Sequence, residues 1–350
     1  MKIIVAAGTP GFIGGGAAEL AFSVDRALRA AGHEVELLWV PSYEACEESS
    51  TLLPQLAGLR IHDYADEADH LIALRWPAHY LRHPRKTVWF LHEFRTLFDL
   101  AGYVGEMGSL QPGDAARATV LARWERLVLD EARAVFSNSQ VVADRARRSL
   151  GGFEMQVLEP PYPREIPDPF LFAGGSHVVL LGRVAPIKRA DLAIRAVAAS
   201  PGDWTLTIAG VPDPPAFGVA LQTLVDDLGV AHRVNLRLDW ISEDEKLRLL
   251  EQSAAVLNLA FAEDSYSYVT YEGWAAGRPV ITVSDSEGIA HAIGEAGGGV
   301  IAEPNPTSLA AVITDLLADP VSAAAAGGAG RNWVTTHGTT WDDAIARLLA

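Results

Sequence analysis

The chain has 350 residues, 49% of them apolar, with a formal net charge of −16 and a pI near 5.0. These values suit two domains with buried cores and exclude a disordered chain. The acidic balance argues against a nucleic-acid partner, because phosphate binding needs clustered Lys and Arg. Cys46 is the only cysteine, so disulfides and thiolate metal sites are excluded, and we expect a reducing, cytoplasmic location.

The first half of the chain alternates short apolar runs with helical stretches, which is typical of parallel β-α-β units. In chain order, the predicted strands are Ile3–Ala6, Glu34–Trp39, Leu71–Leu74, Val88–Leu91 and Ala134–Ser137. The first crossover helix carries apolar residues on one face and is expected to end at Gly32.

Between Gly151 and His177 this alternation stops, and closely spaced prolines predict an extended linker. The alternation then resumes, with predicted strands Val178–Leu181, Thr205–Ala209, Val234–Leu238, Val256–Leu259 and Val280–Val283. We therefore predict an α/β protein of two Rossmann-like domains, residues 1–160 and 161–335, which face a central cleft that holds the ligand. A last helix, at about 336–350 with Thr340 as N-cap, is expected to pack back on the first domain.

The turn after the first strand, residues 8–14, contains a G-x-x-G-x-x-G pattern that resembles the dinucleotide loop of short-chain dehydrogenases/reductases. Those enzymes need a Tyr four residues before a Lys. No Tyr precedes Lys86, Lys188 or Lys246 at that spacing. The second predicted strand also ends without an acid or Arg for the ribose. We therefore expect no nicotinamide and no other cofactor.

The stretch 263-EDSYSYVTYEGWAAGRPVIT-282 joins an acidic pair, a polar turn and a helix that Gly277 is expected to end. The helix N-terminus behind this turn is a potential anion site. Asp264 and Glu272 are eight positions apart, about 12 Å along a helix, which exceeds the roughly 5–9.5 Å of a glycosidase carboxylate pair. These two acids are better suited to hold opposite ends of one long ligand, such as a nucleotide sugar.

A second stretch, 182-GRVAPIKRADLAIRA-196, places two cations, Arg183 and Lys188, between a strand and the next helix. A leaving diphosphate accumulates negative charge in the transition state. Cations held at the carboxyl end of a strand would therefore favour its departure.

These residues carry a family resemblance. The pattern G-R-x4-K-x2-D-x2-I-x-A from Gly182 to Ala196, followed by acid-x7-Glu and A-x-G-x-P-V, resembles the retaining GT-B glycosyltransferases of glycosyltransferase family 4. The segments 136-FSNSQVVADRARR-148 and 14-GGGAAE-19 extend the similarity to the first domain. The resemblance implies a GT-B fold and retaining transfer from a nucleotide-diphosphate sugar to an acceptor hydroxyl or amine. We expect this transfer to be metal-independent, since protein cations take the place of a metal.

The resemblance also implies roles in the second domain. Glu272 matches the glutamate that holds the nucleotide ribose, and Asp264 matches the acid that contacts the donor sugar, unless Glu263 replaces it with a shift in register. Tyr266 and Ser267 match the turn whose amides approach the sugar and diphosphate. The matches for the diphosphate-binding pair are Arg183 and Lys188.

In the first domain, Gly15 and Gly16 match the loop that closes over the phosphates. His92, which ends a predicted buried strand, looks like the histidine near the reacting carbon. The alternatives are a purely structural His92, or Glu93 as the residue that faces the cleft. Arg189 departs from the family pattern, because it stands where the family often has Gly.

Partners and alternatives follow from the same reasoning. The acceptor is expected to be a small molecule, a lipid-linked molecule or a glycan. The Arg-rich stretch 75–95 predicts a site for a phosphorylated acceptor, a peripheral membrane contact or only a solvated patch. No metal is expected, since His79 and His83 lack a third ligand nearby. A sugar-nucleotide 2-epimerase and a non-catalytic nucleotide-sugar-binding protein remain alternatives. The preference for Arg over Lys and the abundance of Ala are typical of a GC-rich bacterial genome.

Overall fold

The structure is a computed structural model that describes residues 1–9, 15–41, 51–101, 103, 113–163, 166, 168, 170, 174–263, 267–337 and 339–350. The chain divides into two compact units. The first unit comprises Met1–Pro163 and Gly338–Ala350, and the second comprises Arg164–His337.

The first unit contains a parallel sheet with helices on both faces. Among the described residues its strands are β1 (Lys2–Thr9), β2 (Glu34–Pro41), β3 (His70–Ala73), β4 (Lys86–Phe90), β5 (Ala134–Ser137) and β6 (Gln156–Val157), in the order β2-β1-β3-β4-β5-β6. The helices are α1 (Gly16–Ala30), α2 (Leu52–Gly58), α3 (Asp114–Asp130), α4 (Gln140–Ser149) and α12 (Trp341–Leu349).

Strand β1 lies between β2 and β3 and is buried on both faces, as a parallel sheet covered on each side requires. Ile3 and Val5 belong to the core cluster that holds the apolar faces of α1 and α12, while Ile4 belongs to the cluster on the opposite face. Helix α12 begins at its predicted cap, where the Thr340 Oγ1 accepts a hydrogen bond from the Asp343 N–H at 3.1 Å. Ile345 of α12 is buried in this first-unit core.

The second unit repeats the arrangement. Its described strands are β7 (His177–Leu181), β8 (Thr205–Ala209), β9 (Val234–Arg237), β10 (Ala255–Leu257), β11 (Val280–Val283) and β12 (Gly299–Ala302), in the order β12-β11-β10-β7-β8-β9. Its helices are α5 (Ala190–Ala199), α6 (Pro215–Asp227), α7 (Glu243–Gln252), α8 (Tyr268–Ala275), α9 (Gly288–Ala296), α10 (Pro306–Ala318) and α11 (Pro320–Thr336).

Helix α8 is fixed by a fully buried tryptophan. Trp274 donates its Nε1–H to the Gly298 carbonyl at 2.6 Å and packs edge-on against Trp333 of α11. A Cβ on Gly330 would lie 2.3 Å from the Trp274 ring, so this contact requires glycine there. The packing holds α8 in place on the face of the sheet.

The predicted α/β fold of two Rossmann-like units is confirmed, and every predicted strand is observed with small shifts at its ends. Two short strands were missed. β6 pairs with β5 inside the segment predicted to be only an extended linker, and β12 pairs with β11 after a run of glycines. Within the described ranges, no single helix is long and apolar enough to cross a membrane; α10 and α11 meet that test only as a pair, bent by 99°.

Candidate functional site

The loops that follow the strands of the second unit meet at the carboxyl edge of its sheet, where ligands of parallel α/β folds bind. The turn after β7 and the turn after β8 touch directly, since the Val184 N–H donates to the Val211 carbonyl at 2.9 Å. A Cβ on Gly210 would lie 1.9 Å from the Gly182 carbonyl oxygen, and Gly210 has φ 148°. Only glycine fits so close an approach of two backbones.

Arg183 lies in the first of these turns and pairs with an acid from the second. Its Nη1 is 2.7 Å from Oδ2 of Asp213, and both side chains are more than one-third exposed. Asp213 was not predicted as part of the site, because it lies 30 positions away and belongs to no recognised pattern.

Lys188 ends a short 3-10 turn, Pro186–Lys188, and forms an ion pair with Glu263. The loop after β10 is tied to this turn by the Phe261 N–H, which donates to the Ile187 carbonyl at 2.9 Å. The structure thus brings together two residues that were predicted as separate donor contacts.

Arg189 follows Lys188 and adopts the left-handed conformation, with φ 55° and ψ 42°. This explains why the resemblance predicts glycine here, since an L-residue in that region costs roughly 1–2 kcal/mol. Two contacts offset the cost. The guanidinium binds both carboxylate oxygens of Asp285, at 2.6 and 2.7 Å, and lies 4.9 Å from the centre of the Phe261 ring.

Helix α8 begins after Ser267 and carries Glu272 in its second turn. Ser267 has φ 59° and makes no side-chain cap, so its role is that of a turn residue at the helix N-terminus. Oε1 of Glu272 lies 2.6 Å from Nζ of Lys246 on α7, and both side chains are largely buried. The same ammonium is 3.0 Å from Oε1 of Glu243. Sequence reasoning missed Lys246 as a partner of this site, and no local pattern marks it.

Two predicted donor contacts, Asp264 and Tyr266, lie outside the described residues. They remain predictions, as does the choice between Asp264 and Glu263 for the donor sugar. In the structure Glu263 is engaged with Lys188.

Among the described glycines of the segment 8–16, Gly8 differs in role from the Gly15–Gly16 pair. A Cβ on Gly8 would lie 1.9 Å from the Trp76 carbonyl oxygen, so Gly8 is required by backbone packing. Gly15 caps α1 with an extended backbone and Gly16 begins that helix, while a Cβ on Gly15 would meet nothing within 4 Å. The pair therefore lies at a helix N-terminus with open space around Gly15, which suits an approach to an anion.

His92 follows β4 at the carboxyl edge of the first sheet. Its Nδ1 donates to the Glu93 carbonyl at 2.7 Å, and its Nε2 accepts from Nε of Arg75 at 3.2 Å. Because a carbonyl only accepts and a guanidinium only donates, these bonds assign the neutral tautomer with the proton on Nδ1.

Glu93 does not fit the alternative role of a ligand-facing acid. Its side chain is buried, and Oε2 accepts a 2.5 Å hydrogen bond from Oγ of Ser149 on α4. Burial raises the pKa of Glu93 to about 8, although the Ser149 hydrogen bond acts in the opposite direction.

The Arg-rich stretch 75–95 does not form one exposed basic patch. Lys86 is 1% exposed, and its Nζ donates to three backbone carbonyls, the shortest at 2.8 Å from His79. Burial lowers its pKa to about 8. Arg82 lies 3.5 Å from an oxygen of Asp63. Within the described part of the chain, no group of three His, Cys, Asp or Glu residues could hold a metal ion.

Comparison with known sequences identifies a matching family and several relatives. Residues 164–333 match the family described as "Glycosyl transferases group 1". The chain is 28% identical over 192 residues to the D-inositol 3-phosphate glycosyltransferase of Mycobacteroides abscessus, an alignment that covers 50% of this chain and 42% of the relative. The protein of the same name from Mycolicibacterium smegmatis is also 28% identical over 192 residues, covering 50% and 43%. The matches thus span less than half the length of these relatives.

Solved structures match along almost the whole chain. Anabaena HepE in complex with UDP and glucose has a TM-score of 0.74 and 18% identity, covering 100% of this chain and 99% of that one. WaaG, a glycosyltransferase involved in lipopolysaccharide biosynthesis, has a TM-score of 0.71 and 16% identity, covering 98% of each chain. Sucrose-phosphate synthase from Thermosynechococcus elongatus has a TM-score of 0.76 and 17% identity, covering 98% and 97%. These similarities establish the GT-B fold.

Proposed function

We propose that this chain, whose residues 164–333 match the family of group 1 glycosyl transferases, transfers a sugar from a nucleotide-diphosphate donor to an acceptor hydroxyl or amine. The observation that carries the proposal is the pair of cations at the carboxyl edge of the second sheet. Arg183 and Lys188 come from one turn after β7, and Lys188 contacts the loop that leads from β10 to α8. Retention of anomeric configuration is part of the proposal and rests on the family resemblance.

The donor diphosphate is proposed to bind beside these cations, with its charge also facing the N-terminus of α8 behind Ser267. As the bond to the sugar breaks, negative charge grows on the diphosphate, and cations already held in position stabilise it without reorganisation. Glu272 accepts hydrogen bonds from the ribose hydroxyls in this arrangement. The acidic residue for the donor sugar is Asp264 or Glu263, and Tyr266 belongs to the same turn.

Acceptor activation needs no carboxylate nucleophile in this mechanism. The departing phosphate accepts the proton of the acceptor as the new bond forms, while Gly15 and Gly16 are proposed to approach the phosphates. His92 is proposed to lie near the reacting carbon, where its Nε2 would exchange the hydrogen bond from Arg75 for one from a sugar hydroxyl. Metal is not required, since protein cations balance the charge of the leaving group.

The comparisons support a nucleotide-sugar donor. Anabaena HepE has been crystallised with UDP and with UDP-glucose, which makes uridine the first base to test. For the acceptor we propose a small molecule, a lipid-linked molecule or a glycan. A cytoplasmic location and a peripheral membrane contact also remain proposals.

The test is donor hydrolysis with a panel of UDP-, GDP- and dTDP-sugars. Arg183→Gln and Lys188→Met should each slow turnover by about 30- to 1000-fold, which corresponds to about 2–4 kcal/mol in the barrier. Arg195→Gln is the matched control, because Arg195 is an exposed cation on α5 of the same unit. Equal rates for all three variants would refute the proposed role of the cations.

The same panel separates the alternatives. Epimerised donor sugar recovered without acceptor would identify a 2-epimerase. Tight donor binding without any turnover, even with added acceptors, would identify a non-catalytic binding protein.

A further inference from the structure

The buried ion pair between α7 and α8 contains Lys246, a residue for which the sequence predicted no role. Nζ of Lys246 lies 2.6 Å from Oε1 of Glu272, with side-chain exposures of 15% and 11%. Its other carboxylate neighbour, Glu243, is 59% exposed at 3.0 Å. Because water screens an exposed charge more strongly, Glu272 is the partner with which the ammonium interacts more strongly.

The backbone of α8 is held independently of this ion pair. Asn258 donates its Nδ2–H to Oγ1 of Thr270 at 3.0 Å, and Trp274 is packed in the core. A Cβ on Gly273 would lie 3.1 Å from a methyl carbon of Val256, so the helix sits directly on the sheet. The Cα of Glu272 is thus fixed by packing, and what remains to be set is the direction and charge of its side chain.

We propose that Lys246 is a positioning residue for the donor nucleoside: it orients the Glu272 carboxylate and keeps it ionised to accept hydrogen bonds from the ribose hydroxyls. The inference rests on the proposed function, because it takes a nucleotide donor for granted. It adds a specificity determinant, since the pair favours a nucleoside whose ribose carries free hydroxyls.

The physical argument concerns both charge and direction. A largely buried carboxylate without its neighbouring cation is driven by desolvation towards the protonated acid, which is a weaker acceptor. A glutamate side chain also has several rotamers, and an ammonium held by the adjacent helix selects one of them. Hydrogen bonds to charged groups contribute about 1.5–3 kcal/mol, so misplacing the carboxylate should lower affinity for the ribose by about 10- to 100-fold.

The experiment measures binding by isothermal titration calorimetry. The ligands are the nucleoside diphosphate that the wild-type protein prefers among UDP, GDP and ADP, and its 2′,3′-dideoxy counterpart. Four proteins are compared: wild type, Lys246→Met, Lys246→Arg and Glu243→Gln. Lys246→Met keeps an unbranched side chain one atom shorter without its charge, and Glu243→Gln neutralises the exposed carboxylate near the same ammonium.

We expect wild type to bind the ribose form at least about tenfold more tightly than the dideoxy form. Lys246→Met should lose most of that preference, with dideoxy binding changed by less than about twofold. Lys246→Arg and Glu243→Gln should keep it. A merely structural role for Lys246 would instead weaken both ligands equally.

The outcomes are distinguishable. Failure of the wild-type protein to bind any nucleoside diphosphate would overturn the proposed function itself. Two results would overturn the role of Lys246 and leave the proposed function standing. In the first, wild type prefers the ribose form and Lys246→Met keeps that preference. In the second, wild type binds the nucleoside diphosphate but shows no preference for the ribose form.

Discussion

The substitution Gly8→Ala separates a structural glycine from a ligand-binding one. Gly8 opens the glycine-rich turn that resembles a dinucleotide loop, yet its α-carbon faces the backbone of Trp76. The added Cβ would lie 1.9 Å from the Trp76 carbonyl oxygen and 2.8 Å from Cδ of Pro77. We therefore predict that Gly8→Ala damages folding, whatever ligand the turn contacts.

The magnitude follows from the distances. Cβ atoms essentially never approach a non-bonded heavy atom closer than 3.0 Å, so β1 and the Trp76 segment must separate by about 1 Å. Overpacking of a core costs about 1–3 kcal/mol and sometimes more. The clash here is with backbone rather than with a movable side chain, so we expect about 3 kcal/mol or more. For a unit of this size that loss corresponds to a fall of roughly 6–12 °C in melting temperature.

Thermal unfolding of purified protein tests this, with Gly15→Ala as the control. A Cβ on Gly15 meets nothing within 4 Å, and its φ of 174° is open to any residue. The control should therefore lose no more than about 1 kcal/mol, the cost of alanine at a helix N-cap. If Gly15 belongs to a phosphate-contacting loop, Gly15→Ala weakens donor binding without this loss of stability. A Gly8→Ala protein that melts within 2 °C of wild type would refute the packing argument.

Three further predictions concern charge. Asp213→Asn removes a carboxylate that competes with diphosphate for Arg183. Because both side chains are more than one-third exposed, the gain should be small, and calorimetry should show nucleoside diphosphate binding only about two- to fivefold tighter. Weaker binding would contradict this competition. Glu93 has a pKa of about 8 in the folded protein, against 4.5 in the unfolded chain. Between these pH values the native state holds a proton that the unfolded chain releases. The free energy of unfolding should therefore fall as pH rises from about 4.5 to about 8. Urea unfolding at pH 5 and pH 8 should show a smaller fall for Glu93→Gln, and equal falls would contradict the raised pKa. EDTA should leave donor hydrolysis unchanged if transfer is metal-independent, and loss of activity restored by a divalent cation would disprove that.

Periodicity in the sequence was sufficient to predict the fold. Buried parallel strands appear as continuous apolar runs, so Thr205–Ala209 and Val280–Val283 were predicted with their observed bounds. The two missed strands lack that signal. β6 is only two residues long and is followed closely by a run of prolines, and its pairing depends on β5. β12 begins at Gly299, where an added Cβ would lie 1.8 Å from the Val280 carbonyl oxygen. Only glycine permits this pairing, yet glycine is a residue that strand propensity disfavours.

The candidate site was predictable only where its residues are close in sequence. Arg183 and Lys188 share one turn, and Ser267 and Glu272 share one helix start, so local spacing was enough to propose them. Their ion-pair partners could not be predicted from local spacing. Asp213 is 30 residues from Arg183, and Asp285 is 96 residues from Arg189. Such pairs exist only because parallel strands bring their carboxyl ends to one edge of the sheet.

These distant acids change how the cation pair must be understood. An isolated Arg and Lys at a strand end would attract any anion, and their flexible side chains would lose entropy on binding. In the structure Arg183 is held by Asp213, and Lys188 by Glu263. Each carboxylate restricts the side chain of its cation before a ligand binds. Part of the entropy that the side chain would lose on ligand binding is therefore already lost during folding. Each also competes with the ligand for the same charge. A singly charged anion gains little from such an exchange. A diphosphate that spans both cations can replace both carboxylates at once, which favours the ligand class proposed for this site.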